Sequence, residues 1–168
     1  FRRVLFRSYF LARGGVKVTV FEKEARMGGV VRNVIPGFRI SDEAIDNDVK
    51  IVAAMGVEMV NGKEITSIDE LKKEYDYVVL AVGASDKGTL KLEAGDTMNA
   101  LDFLAQFKAT DGKLDLGKNV VVIGGGNTAM DTARAAKRNA GVEKVSLVYR
   151  RTRRFMPADE EELVMAME

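Results

Sequence analysis

Cysteine, histidine and tryptophan are absent from the 168 residues, and proline occurs only twice. Without cysteine the chain by itself holds no iron–sulfur cluster and no redox disulfide. Without histidine as well, it lacks an ordinary zinc site and the base of a Ser-His-Asp triad. No apolar run reaches the roughly 18 residues of a membrane span and no signal-peptide pattern is present, which leaves the cytoplasm as the default location. Neither sign of charge is in surplus. Lys and Arg number 26 against 25 Asp and Glu, a net charge of +1, so no overall field draws nucleic acid or a membrane surface. The local run Arg150, Arg151, Arg153, Arg154 is answered by the acids at 159–162. What remains, 46% hydrophobic and 30% charged, is the composition of a soluble globular protein with enough apolar material for a core.

Residues 120–151 organise the rest. Val120, Val121, Val122 and Ile123 predict a strand, Gly124, Gly125, Gly126, Asn127 and Thr128 a tight loop, and the small residues from Ala129 a helix. In this G-x-G-x-x-A pattern Gly124 and Gly126 let the backbone turn sharply and lie close to a ligand, while Ala129 lets the helix pack tightly on its strand. The amides opening that helix point at a diphosphate. Ala129, Ala133, Ala136 and Ala140 share one face of the helix. Residues 145–148 form a second strand that ends in Tyr149, Arg150 and Arg151, where a Rossmann fold reads the cofactor ribose. Arginine in place of an acid there suits a 2′-phosphate. Glycine turns also occur for structural reasons alone, but strand, helix, second strand and arginines agree on a dinucleotide, with NADPH the expected one.

Leu5, Phe6, Arg7 and Ser8 match the translated end of a common sequencing adapter, so residues 1–8 read as a non-native scar, with a native basic amphipathic turn as the alternative. Residues 9–13 predict the last turn of a helix stopped by Gly14 and Gly15, and residues 16–21 a strand with Glu22 at its end. Glu22 is either a solvated charge or an acid that accepts hydrogen bonds from a ribose, with Gly28 and Gly29 close behind. Residues 30–40 read as a loop built on Pro36-Gly37. Ser41 caps a helix with Ile45, Val49, Val52 and Ala53 on one face and Gly56 as its stop, and residues 57–60 make a short strand. Ser67 and Glu70 have capping-box spacing for a brief helix. Residues 77–82 read as an apolar strand buried in a parallel sheet, leaving through Ala81, Val82, Gly83 and Ala84. A loop over 85–97, a helix over about 100–107 and a linker over 111–118 follow, with a boundary near Gly117. The strand-helix-strand theme thus appears twice, and the fold class is α/β and Rossmann-like, with parallel sheets flanked by helices.

The ordered marks V-T-V-F-E-K (18–23), G-G-V-V (28–31), I-P-G-F-R-I (35–40), A-V-G-A (81–84), G-G-G-N-T-A-M-D (124–131) and Y-R-R with M-P (149–157) carry a resemblance. They resemble the FAD- and NAD(P)H-dependent oxidoreductases that include the glutamate synthase small subunit and the reductase portion of dihydropyrimidine dehydrogenase, and most nearly the selenate reductase subunit type. The resemblance covers residues 9–168. It implies a flavoprotein with two dinucleotide-binding domains, here a partial FAD domain over 9–116 and a partial NAD(P)H domain over 117–168. It implies that Glu22 binds the FAD adenosine ribose, with Lys23 beside it in the same motif. By the same comparison Gly28 and Gly29 lie beside the FAD diphosphate and residues 35–39 approach the flavin. Ala81 and Gly83 stand in a motif like the family's A-T-G at the crossing between domains, with Val82 in place of the usual threonine. Gly124, Gly125, Gly126, Asn127, Thr128, Ala129, Arg150 and Arg151 fall to NADPH. The family's N-terminal glycine loop for FAD and its C-terminal Gly-Asp segment have no counterpart here, so the chain is expected to be a fragment.

The expected activity is hydride transfer from NADPH to FAD, with electrons passed on to an acceptor subunit or domain, an iron–sulfur centre among the candidates. It needs no catalytic acid or base and no metal ligand from this chain. A disulfide reductase of the thioredoxin-reductase kind would need C-x-x-C between Gly83 and Gly124, and a short-chain dehydrogenase would need Tyr-x-x-x-Lys; neither pattern occurs. A non-catalytic NADPH-sensing module is the alternative of a different class. Lacking the helix N-terminus that would hold the FAD diphosphate, residues 1–168 expressed alone are expected to be colourless. Their purification as a stoichiometric yellow flavoprotein would refute this.

Overall fold

The computed structural model describes residues 2–84, 88, 90 and 92–167; the expected scar's first residue and part of the loop expected over 85–97 lie outside them. The chain forms two compact units, Phe1–Arg32 with Ile40–Ser85, and Asn33–Arg39 with Asp86–Glu168. No helix among the described residues is long and apolar enough to cross a membrane.

In the first unit, helix α1 (Arg2–Arg13) ends where Gly15 takes a left-handed φ of 84°, a conformation open to glycine. Strand β1 (Thr19–Phe21) follows, then helices α2 (Gly29–Asn33) and α3 (Asp42–Ala54), strand β2 (Glu58–Val60) and helix α4 (Ile68–Glu74). The two strands pair in parallel with Thr19 opposite Glu58. Ser41 caps α3 as expected, its Oγ accepting from the Ala44 N–H at 3.1 Å. Leu5, Val52 and Val57 form the buried centre, with Tyr9, Val20, Val49 and Met59 packed around them.

Three expectations for this unit are corrected. Residues 30–40 do not open as a loop but inside α2, because Arg32 folds back to donate from Nε to the Met27 carbonyl at 2.6 Å. Ser67 makes no cap hydrogen bond; α4 buries none of its residues, so nothing fixes the geometry of its first turn. Residues 77–82 form no strand, and Tyr77 and Val82 are each 89% exposed. An extended apolar run becomes a strand only when another backbone completes its hydrogen bonds, and no described strand lies beside this one.

The second unit holds helix α5 (Ala100–Ala109), strand β3 (Asn119–Ile123), helix α6 (Asn127–Arg138), strand β4 (Lys144–Val148), a single 3₁₀ turn (Arg153–Phe155) and helix α7 (Glu160–Met167). β3 and β4 are parallel neighbours from Asn119 opposite Lys144 to Ile123 opposite Val148, joined through α6. The methyl face of α6 is buried at Ala129, Ala133 and Ala136, whereas Ala140 lies beyond the helix end and is exposed. Met130 and Ala133 pack with Val122 and Leu163, and Ala135 and Ala136 pack with Phe103 and Leu104. α6 is thus covered on two sides, a degree of burial that its alanine periodicity does not convey.

Two polar fixtures complete this unit. Asn139, 3% exposed, accepts from the Leu114 N–H at 3.0 Å and donates to the Leu114 carbonyl at 2.7 Å, which anchors the segment read as a linker. Arg39 pairs with Glu162 and lies 3.3 Å from Asp131, while Phe38 sits under the guanidinium groups of Arg134 (4.9 Å) and Arg138 (4.4 Å). Burial pushes the Asp131 carboxyl above its ordinary value; Arg39 opposes that rise and Glu162 adds to it.

Asn139→Ala leaves the Leu114 amide and carbonyl unpaired, so it should cost about 1–3 kcal/mol, read by denaturant unfolding. The folded state holds the Asp131 proton more tightly than the unfolded chain does, so ionisation of this group costs stability as pH rises past the ordinary carboxylate range. Asp131→Asn should therefore match the unmodified protein most closely at low pH and gain relative stability as pH climbs through that range. Parallel stability curves from pH 3 to 7 would count against this account.

Candidate functional site

The β3–β4 ladder runs on into the glycines through the Gly124 N–H, which donates to the Val148 carbonyl at 2.9 Å. Gly124 has φ +152°, and a Cβ placed there would lie 3.1 Å from the Ala129 methyl. At Gly125 a Cβ would lie 2.7 Å from the Tyr149 ring. Both glycines are required by packing, so the glycines alone do not identify a ligand. The helix start is more informative. Gly126 is the extended N-cap of α6, and its carbonyl accepts from Ala129 at 2.9 Å and Met130 at 3.2 Å. The N–H groups of Asn127 and Thr128 precede these and have no acceptor among the described residues. Two free donors at the positive end of a 12-residue helix suit the diphosphate of a dinucleotide.

The Asn127 side chain is turned to the protein. Its Oδ1 accepts from the Asp159 N–H at 2.9 Å and its Nδ2 donates to the Asp159 carboxylate at 2.7 Å. The Ala158 N–H donates to the Gly125 carbonyl at 3.0 Å, so residues 158–159 hold the glycine loop from outside. No sequence motif announces Asp159, which reads only as one acid in a run. Thr128 contributes a carbonyl that accepts from the Thr132 hydroxyl at 2.7 Å.

Beyond β4 the Tyr149 hydroxyl donates to the Phe155 carbonyl at 2.9 Å, folding the chain back over the loop. Arg150 and Arg151 are exposed and have no acidic partner among the described residues, whereas Arg153 is held 2.6 Å from Glu160. Arg151, Thr152 and Phe155 line an open pocket of about 340 Å³.

In the first unit Glu22 continues the β1–β2 ladder, its N–H donating to the Val60 carbonyl and its own carbonyl accepting from Lys63, both at 2.9 Å. Its Oε1 accepts from the Glu24 N–H at 3.1 Å; Lys23 is exposed. Gly28 (φ 142°) and Gly29 (φ 49°) open α2. A Cβ at Gly28 would strike that of Arg32 at 2.5 Å. Arg32, 6% exposed, lies 2.6 Å from Asp46 and 3.4 Å from Asp42, and exposed Arg26 reaches Asp46 at 2.7 Å. The Arg32 hydrogen bond, with Arg26 behind it, holds the Asp46 carboxyl below its usual value against the opposing effect of burial. This ion cluster beside the glycine pair was not visible in the sequence, where its four members are scattered over residues 26–46. Ala81 is half-buried and Gly83 is exposed with φ 81°. Among the described residues no group of acids could hold a metal ion.

Known proteins resemble the chain at several levels. The Escherichia coli K12 protein YgfK is 49% identical over 169 residues, which is 97% of this chain but 16% of YgfK. The beta subunit of the Geobacter sulfurreducens NADPH-Fe(3+) oxidoreductase is 38% identical over 165 residues, 90% of this chain and 24% of that protein. The chain therefore spans less than a quarter of either relative. Among solved structures, Mycobacterium tuberculosis FprA in complex with NADPH superposes with a TM-score of 0.80 over 95% of this chain and 44% of FprA, at 23% identity, a likeness of fold. Residues 8–168 match the pyridine nucleotide-disulphide oxidoreductase family, to which this α/β, Rossmann-like chain belongs.

Proposed function

We propose that the chain supplies the NADPH-binding part and a portion of the FAD-binding part of an oxidoreductase that passes hydride from NADPH to FAD and electrons on to a partner centre. The observation that carries the reading is the pair of unanswered amides on Asn127 and Thr128, with two unpaired arginines at the end of the adjoining strand. In this reading Gly124 and Gly126 let the backbone approach the ligand, Gly125 completes the turn, Ala129 keeps α6 close to its strand, the α6 amides from Asn127 and Thr128 hold the diphosphate, and Arg150 and Arg151 take the 2′-phosphate. Glu22 ends β1 with one carboxylate oxygen engaged by Glu24, which leaves the other for a ribose hydroxyl of FAD. Lys23 follows Glu22, Gly28 and Gly29 open α2, and these residues with Ala81 and Gly83 are assigned to the same cofactor. Bound FAD would accept the hydride and release electrons singly or in pairs. The chain's own task is to bind and orient, and no proton transfer by a side chain is required.

The names of relatives agree with a subunit that feeds an acceptor. Besides the Geobacter protein, the Escherichia coli K12 NAD-dependent dihydropyrimidine dehydrogenase subunit PreT is 34% identical over 96% of this chain. The two names differ in coenzyme, which makes the arginines the point to test. One or two charge-assisted arginine–phosphate contacts, at about 1.5–3 kcal/mol each, should favour NADPH over NADH roughly 10-fold to 1000-fold. In the full-length protein, changing Arg150 and Arg151 to alanine should weaken NADPH by that factor and leave NADH nearly unchanged. An equal loss for both coenzymes would make the arginines structural and sink the NADPH assignment.

A further inference from the structure

We infer that Phe155 is the surface on which the adenine of the bound nucleotide stacks, with Thr152 and Arg151 beside it for the ribose and its 2′-phosphate. The inference rests on the nucleotide-binding reading of the glycine loop and adds a residue to it that neither the motif nor the arginines call for.

Phe155 is 59% exposed, yet it is not loosely held. Its N–H donates to the Thr152 carbonyl at 2.9 Å, closing the 3₁₀ turn, and its carbonyl accepts from the Tyr149 hydroxyl at 2.9 Å. Arg153 ties the same turn to Glu160 at 2.6 Å. The Tyr149 ring in turn fills the space over Gly125. The backbone that carries the exposed Phe155 ring is therefore tied, through the Tyr149 hydroxyl and the contact of the Tyr149 ring with Gly125, to the loop that would hold the diphosphate. A solvated aromatic on a braced backbone presents its face to a partner at little cost in order.

The pocket's lining matches one ligand chemistry. Arg151, Thr152 and Phe155 line an open, mostly apolar depression of about 340 Å³, and their side chains carry a guanidinium, a hydroxyl and an aromatic ring. Phosphate, sugar hydroxyl and heteroaromatic base are the three parts of an adenosine 2′-phosphate, and each has its counterpart. A phosphate alone would use the arginine and leave the ring idle.

The test is affinity for NADPH and for NADH on the full-length protein, read by nicotinamide fluorescence. Base–aromatic stacking predicts that Phe155→Leu weakens both nucleotides alike, by about 5- to 100-fold, with the ratio between them unchanged. Phe155→Tyr should restore both to within about threefold. Since the side chain is exposed, the leucine variant should keep the unmodified melting temperature. Affinities within twofold of the unmodified protein in Phe155→Leu would overturn the adenine assignment, as would a loss confined to NADPH or a failure of tyrosine to rescue. Loss of NADPH preference in the Arg150 and Arg151 double variant reports on the coenzyme reading separately. If the unmodified protein bound neither nucleotide, the functional reading and this inference would both fall.

Discussion

The close approach of α6 to the β3–β4 pair is the constraint on which the second unit depends. Only methyl groups stand between helix and strands at Ala129, Ala133 and Ala136, and the space is filled: Ala136 is fully buried and Ala129 already touches the site where a side chain on Gly124 would be. Larger side chains in such a seam force displaced rotamers or backbone, typically costing about 1–3 kcal/mol. A displaced α6 would also carry its first amides away from the end of β3. Packing and ligand geometry are one requirement here, and the alanines serve both.

Among the described residues, each unit has an ion cluster acting as a fixture. Arg32 with Asp42 and Asp46 secures the turn that presents Gly28 and Gly29, and Arg39 with Asp131, Glu162 and Arg134 secures residues 33–39 against α6 and α7. Such partly buried pairs contribute little net stability when intact, but removal of the acids would strand a guanidinium such as that of Arg32, 6% exposed, in a poorly solvated place. Their effect is therefore to make a particular conformation costly to leave. A segment opened by glycines, or one that proline only turns, gains a defined position from them.

The parts of this fold that were legible in the sequence are those decided by neighbours in the chain. Strand β3, the glycine turn, α6 and β4 follow from apolar runs and small-residue spacing within 30 residues, and Ser41 caps α3 by a contact only three residues long. The strand expected over 77–82 failed for the opposite reason: its composition was right, but strand formation depends on a second backbone that composition cannot supply. Asn139 was overlooked because a buried asparagine after a helix reads as an ordinary stop signal until its partner 25 residues upstream is known. The same holds for Asp159, whose carboxylate and amide both meet Asn127 across 32 residues. In the candidate site, sequence named the residues that could line a ligand, and the structure supplied those that brace them.

The contact between the Tyr149 ring and Gly125 limits how the sequence can drift. A methyl group at position 125 would overlap the ring at 2.7 Å, so a lineage cannot take alanine there while the tyrosine remains. Losing the tyrosine first opens the space, and the exposed Phe155 carbonyl that its hydroxyl met then turns to water. The two positions are therefore ordered in their change: the tyrosine has to give way before position 125 can take a side chain.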